Sequence, residues 1–169
     1  MKKGSVIDAN IVENLNHNVI NKQYKGDLYM IDKFRGNFYY LSNFYNAPIT
    51  WEGITYKNNE SAFQSAKLLD VNKRLLFANL NANDAKRKGR RVQLRPDWEK
   101  VKTKIMYDIC YAKFTQNQYL KDKLLSTGNE YLIEGNDWND TFWGVCNGRG
   151  YNNLGKILMQ VRNNIRKEK

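Results

Sequence analysis

Glu60, Gln64 and Lys67 follow one another at spacings of four and three residues, which puts a carboxylate, an amide and an amine on one face of a helix. Such a strip can be reactive: an amine can attack an electrophilic carbon, and a carboxylate can steady positive charge that develops there. A solvated face with an ordinary Glu–Lys pair, worth about 0.2–0.5 kcal/mol, explains the same spacing. Ala62, Phe63 and Ala66 lie among these residues, and their apolar or small side chains draw part of the face toward the core.

Three other groupings carry binding chemistry. Phe34-Arg35-Gly36 precedes Leu41-Ser42-Asn43-Phe44. The arginine offers a planar donor fork for phosphate, Ser42 and Asn43 offer short hydrogen-bonding groups, and Phe44 a ring to stack on a base. A turn whose Ser and Asn bond their own backbone fits equally well. From Glu134-Gly135-Asn136-Asp137-Trp138 through Asp140 to Phe142-Trp143-Gly144, aromatics alternate with acids in an expected loop. Trp138 or Trp143 can wall a base pocket there, or the rings can fold back onto the core. Gly148-Arg149-Gly150-Tyr151-Asn152-Asn153 leads into a helix, an arrangement suited to a diphosphate but also to a plain helix-entry turn. The densest positive run is Lys86-Arg87-Lys88-Gly89-Arg90-Arg91, with Arg95 nearby. It reads as a solvated helix face or as a guide for a nucleic-acid backbone.

The elements that must position these residues can be read from periodicity. Ile49-Thr50-Trp51 and Ile54-Thr55-Tyr56 are β-favouring triplets around Glu52-Gly53, a two-residue hairpin turn. Asn58 or Asn59 caps a helix expected to run to about Leu69. A second short helix is expected after Asp84. A third has Pro96 in its first turn and Trp98, Val101, Ile105 and Ile109 on its buried face. Leu120, Leu124 and Leu125 mark a fourth helix, ended by Gly128, and Tyr131 to Glu134 reads as a short strand. Leu154, Ile157, Leu158, Val161 and Ile165 give the clearest amphipathic pattern, a C-terminal helix. The fold class expected is α+β, a mostly helical single domain over residues 31–169 with a few short strands. Residues 1–30, polar and Asn-rich, read as a peripheral arm in which Ile11, Leu15 and Val19 fit a short amphipathic helix.

Composition narrows the chemistry further. The 169 residues suffice for one hydrophobic core. The formal charge of +11 favours anionic partners, nucleic acid or nucleotides among them. His17 is the only histidine, which excludes a His-based triad within the chain and any multi-His zinc site. Cys110 and Cys146 form neither a disulfide framework nor a metal-ligand spacing. No metal and no redox cofactor is expected. No apolar run approaches the roughly 20 residues of a membrane span and no secretory signal is visible, so the expected setting is cytoplasmic, with no membrane partner.

In their order along the chain these motifs resemble the NADAR or YbiA-like family. The matching stretches are Phe38 to Phe44 (FYYLSNF), Asn59 to Lys67 (NESAFQSAK), Ala85 to Arg95 (AKRKGRRVQLR) and Lys113 to Gln116 (KFTQ). Leu125 to Gly128 (LSTG), Glu134 to Gly144 (EGNDWNDTFWG) and Asn152 to Met159 (NNLGKILM) complete the pattern. The resemblance spans roughly residues 32–166 and implies cleavage of N-glycosidic bonds. Two substrate types follow from it: ADP-ribose attached to guanine in nucleic acid, or a phosphoribosyl-linked pyrimidine of riboflavin synthesis. In the first branch a lysine attacks the sugar and forms a Schiff base. Lys67 is the candidate, with Lys86 and Lys88 as lysines of another family motif.

The expected enzyme is an ADP-ribosyl glycohydrolase acting on guanine in nucleic acid. Glu60, Lys67 and Asp140 would carry the chemistry, with Lys67 partly desolvated so that its amine can be neutral. Arg35 and Arg149 would hold phosphates, Phe44 and Trp143 border the base or ribose, and Asn43 and Gln64 orient sugar hydroxyls. Gly36, Ser42, Trp138, Gly144 and Asn152 complete the expected binding set. Glu134 and Asp137 are further carboxylates without an assigned role. Asn59 and Ser61 flank Glu60 where YbiA-type members often carry Val-Glu-His, so chemistry needing that histidine is absent. This departure counts more against the riboflavin-pathway substrate. A non-catalytic ADP-ribose or nucleic-acid binding module is the alternative from another class.

Overall fold

The computed structural model describes residues 29–168; the arm and its expected helix fall almost wholly outside them. The described chain begins with β1 (Met30–Ile31), which pairs in parallel with a later two-residue strand. A 3-10 helix, Gly36–Leu41, follows and buries Tyr40 and Leu41.

β2 (Asn46–Trp51) and β3 (Ile54–Asn58) form the expected antiparallel hairpin, with Ile49 opposite Tyr56 and Trp51 opposite Ile54. Glu52 and Gly53 both take positive φ, 46° and 77°, the left-handed pair whose twist matches that of the flanking strands. Ala47, Ile49, Trp51, Ile54 and Tyr56 alternate inward, so the hairpin lays one apolar face on the core. The Asn58 side chain then accepts from Ser61 N at 2.8 Å and caps α1 (Asn59–Ser65).

The structure corrects the expected length of this helix, which stops at Ser65 rather than near Leu69. Lys67 N and Leu68 N turn to Gln64 O and Ser65 O, and Arg95 N donates to Lys67 O at 2.8 Å, so a distant segment takes the carbonyl the helix would have used. Asp70 restarts the chain as a cap for α2 (Val71–Leu75), accepting from Asn72 N and Lys73 N. The next helix, α3 (Ala82–Gly89), begins earlier than expected because Asn81 caps it through Asp84 N.

α4 (Trp98–Gln116) starts two residues after Pro96, which sits in the preceding turn. Trp98, Ile105 and Ile109 are buried on it, and Val101 is half-buried. α5 (Gln118–Ser126) ends before Gly128, whose φ of 59° lets the chain reverse. β4 (Tyr131–Leu132), shorter than expected, closes the pair with β1, and β5 (Gly135–Asn136) pairs in parallel with β6 (Val145–Cys146). α6 (Asn153–Lys167) buries all five residues of its apolar stripe.

α4 is the central support, packed against α1, β2, α5 and α6. The result is an α+β fold with one main apolar cluster drawing on the hairpin, α1, α4, α5 and α6. No helix among the described residues is long and apolar enough to cross a membrane.

Candidate active site

One cavity of about 720 Å³ receives most of the chemistry-bearing residues. Its wall begins with α1. That helix is buried along its whole length, because it lies between the hairpin, α3 and α4. Glu60 is therefore only 6% exposed, and its Oε1 accepts from Gln64 Nε2 at 2.9 Å. Burial pushes the Glu60 carboxyl above its ordinary range, against the Gln64 hydrogen bond and the positive charges of Lys86 and Lys67. The solvated-face reading of this strip does not hold.

Lys67 stands two residues past the end of α1 and still lines the cavity. Its Nζ donates to Gly89 O at 3.0 Å. Burial holds its pKa below the ordinary lysine value, with Arg90 and Lys86 adding repulsion and Glu60 opposing. The expected partial desolvation is thus present.

The loop after the 3-10 helix forms the next wall. Ser42 Oγ accepts from Phe44 N, and Ser42 O accepts from the buried Lys113 Nζ at 2.8 Å. Lys113 is lowered to about 7, chiefly by burial. Asn43 O accepts from Glu60 N, while its side chain bonds Asn59 and Met106. The Asn43 amide and Gln64 Nε2 are thus engaged within the protein, holding the loop and the Glu60 carboxylate in place, while Gln64 Oε1 is buried without a partner.

The acidic loop supplies the third wall. Asn136 Oδ1 accepts from Trp138 N and Asp140 N, and Asp140 Oδ1 accepts from Phe142 N and Trp143 N at 3.2 and 2.9 Å. These bonds turn Trp138, Asp140 and Trp143 into the cavity. Trp143 packs edge-on against Phe63 and Phe142. At the mouth, Arg35 lies 5.5 Å from the Trp138 ring centre and 3.5 Å from Asp137.

Glu134 also lines this cavity, a carboxylate the sequence left without a role. Its Oε2 is buried with no hydrogen-bond partner, and its pKa is raised to about 7, first by burial and then by the Asp140 charge. Lys86, Arg90 and Lys102 add cations. Lys86 and Arg90 belong to the basic run, which read as a solvated helix face or a nucleic-acid guide, and Lys102 carried no sequence signal.

Four expected binding residues lie outside the lining: Gly36, Gly144, Arg149 and Asn152. Gly36 begins the 3-10 helix at φ 56°. Gly144 is a packing position, where a Cβ would run into Glu134 O. Arg149 closes a bridge with Cys146. Asn152, 3% exposed, donates to Leu132 O and accepts from Glu134 N at 3.0 Å, so it braces the segment that carries Glu134. Among the described residues no group of three His, Cys, Asp or Glu side chains is placed to hold a metal ion.

This wall of three segments has relatives. N-glycosidase YbiA of Shigella flexneri serotype 5b is 38% identical over 139 residues, covering 76% of this chain and 82% of that protein. Riboflavin biosynthesis protein VVA0006 of Vibrio vulnificus is 38% identical over 135 residues, and the match takes in 36% of its length. The NMR structure of Escherichia coli YbiA superposes with a TM-score of 0.74 at 33% identity, covering 83% of this chain and 86% of the other. The NADAR domain model matches residues 30–166, and the chain belongs to the NADAR family.

Proposed function

We propose that this protein removes ADP-ribose from a guanine base in nucleic acid, with Lys67 as the nucleophile. Its coarser activity is that of a hydrolase acting on N-glycosyl bonds, the activity for which its YbiA relatives are named. The observation that carries the finer reading is a half-buried lysine whose pKa is depressed, in one cavity with three carboxylates. A neutral amine is the form that attacks, and burial supplies it at lower cost than solvent would.

Breaking the base–sugar bond develops positive charge at the anomeric carbon, which Glu60 and Asp140 face from two walls. Lys67 Nζ adds to that carbon as the bond to the base breaks. Glu134 in its acid form gives a proton to the departing base. An Nζ proton then passes by way of the Glu134 carboxylate to the ring oxygen as its bond to the anomeric carbon breaks, leaving a Schiff base. Water hydrolyses this to free amine and released sugar, returning a proton to Glu134. Arg35, Lys86 and Arg90 suit the diphosphate, and Phe44, Trp138 and Trp143 border the rings. Gln64 and Asn43 act by holding Glu60 and the loop.

Mass spectrometry of an oligonucleotide bearing ADP-ribosyl-guanine tests the reaction. Wild type is expected to remove the ADP-ribose mass, and Lys67→Ala to slow this by at least about 1,000-fold. Borohydride added during turnover should leave a reduced sugar adduct on Lys67. An intact substrate with wild type would direct attention to phosphoribosyl pyrimidines, the reading that the name of the Vibrio relative favours.

A further inference from the structure

The cavity does not use all of α3. Asn83, Lys86 and Arg90 line the cavity, while Asp84, Arg87, Lys88 and Arg91 line a second depression together with Leu80 and Val92. The two sets are offset by one residue along the same segment, so they are neighbouring stripes of one helix and its exit. Both are positive. The one acid in the second depression, Asp84, is already paired with Arg87 at 2.7 Å. Lys86, Lys88, Arg90 and Arg91 form no ion pair among the described residues. Arg87 is 71% exposed, which leaves guanidinium donors facing solvent.

We propose that α3 is a docking ridge for single-stranded nucleic acid, holding in the second depression the phosphates that flank a base seated in the cavity. This rests on the reading that the substrate base belongs to a strand. A base must leave its stack to enter a walled pocket, so the strand beside it is single and its backbone must leave over a rim. The α3 rim carries cations on both sides, with Lys86 on the cavity side 5.3 Å from the Phe44 ring centre and Arg87, Lys88 and Arg91 on the other. Arginine forks match phosphate oxygens better than point charges do.

Fluorescence anisotropy with an unmodified 12-nucleotide single strand tests this on the full chain. The variant Arg87→Gln/Arg91→Gln should weaken binding about 10-fold and lower the slope of log Kd against log salt by about 1.4, the share of two phosphates on a single strand. A control removing two exposed charges elsewhere, Lys100→Gln/Lys167→Gln, should change neither by more than about 2-fold. Equal losses in both variants, or equally tight binding of a poly-glutamate peptide, would overturn the ridge. Lost strand binding together with a wild type that leaves ADP-ribosyl-guanine intact would support the ridge and remove the substrate reading. Unchanged strand binding with normal turnover would do the reverse.

Discussion

Glu134 is a carboxylate placed where it is costly to ionise. Its pKa of about 7 exceeds the ordinary 4.5 because burial and the Asp140 charge disfavour the anion. The folded state therefore holds this proton more tightly than the unfolded chain does. The stability this contributes is complete below about pH 4.5 and is lost as pH rises through 7. Glu134→Gln removes that dependence. Its unfolding free energy should gain on that of wild type between pH 5 and pH 8, by an amount of order 1–3 kcal/mol. The same proton serves the leaving base, so kcat/KM of wild type should fall above pH 7 while Glu134→Gln is low and lacks that limb. A pH profile of both proteins checks the two expectations together.

At the scale of elements, close approach of backbones sets the positions. Gly155 in α6 is buried, and a Cβ there would meet Leu132 O and the Asn152 side chain. In an open helix Gly→Ala gains about 1 kcal/mol. Here the clash with a backbone carbonyl outweighs it, and Gly155→Ala should destabilise by about 1–3 kcal/mol in a urea titration. Asn152 also holds Glu134 N, so activity should fall with stability.

Those contacts explain what the sequence showed and what it hid. The hairpin was legible because Glu52-Gly53 and strict alternation act locally. The C-terminal helix was legible because its five apolar residues repeat with the helical period. The early end of α1 was not, because Arg95 N, 28 residues after Lys67, takes its carbonyl. β1, β5, β6 and the 3-10 helix were hidden for the same reason: tertiary hydrogen bonds, not periodicity, define them. In the site, Glu60 and Lys67 stood out by spacing. Lys86 and Arg90 were masked by the basic run around them, since only the packing of α3 on α1 shows which cations turn inward. The glycine, arginine and asparagine before α6 suggested a phosphate loop, but their hydrogen bonds lie within the fold.

The whole molecule meets at the cavity. Its lining runs from Phe34 to Leu154, so no local segment can form it, and it exists only when the fold is complete. One consequence is optical. Of four tryptophans, Trp98, Trp138 and Trp143 line this cavity, while Trp51 lies apart under the Arg74 guanidinium at 4.7 Å. Intrinsic emission therefore reports chiefly on the cavity. Titrating ADP-ribose should quench it in a saturable manner, and Trp138→Phe should remove part of that change while Trp51→Phe leaves it intact. The protein carries its own fluorophore for following occupancy, and stopped-flow traces of that signal would separate ligand entry from bond cleavage without any added label.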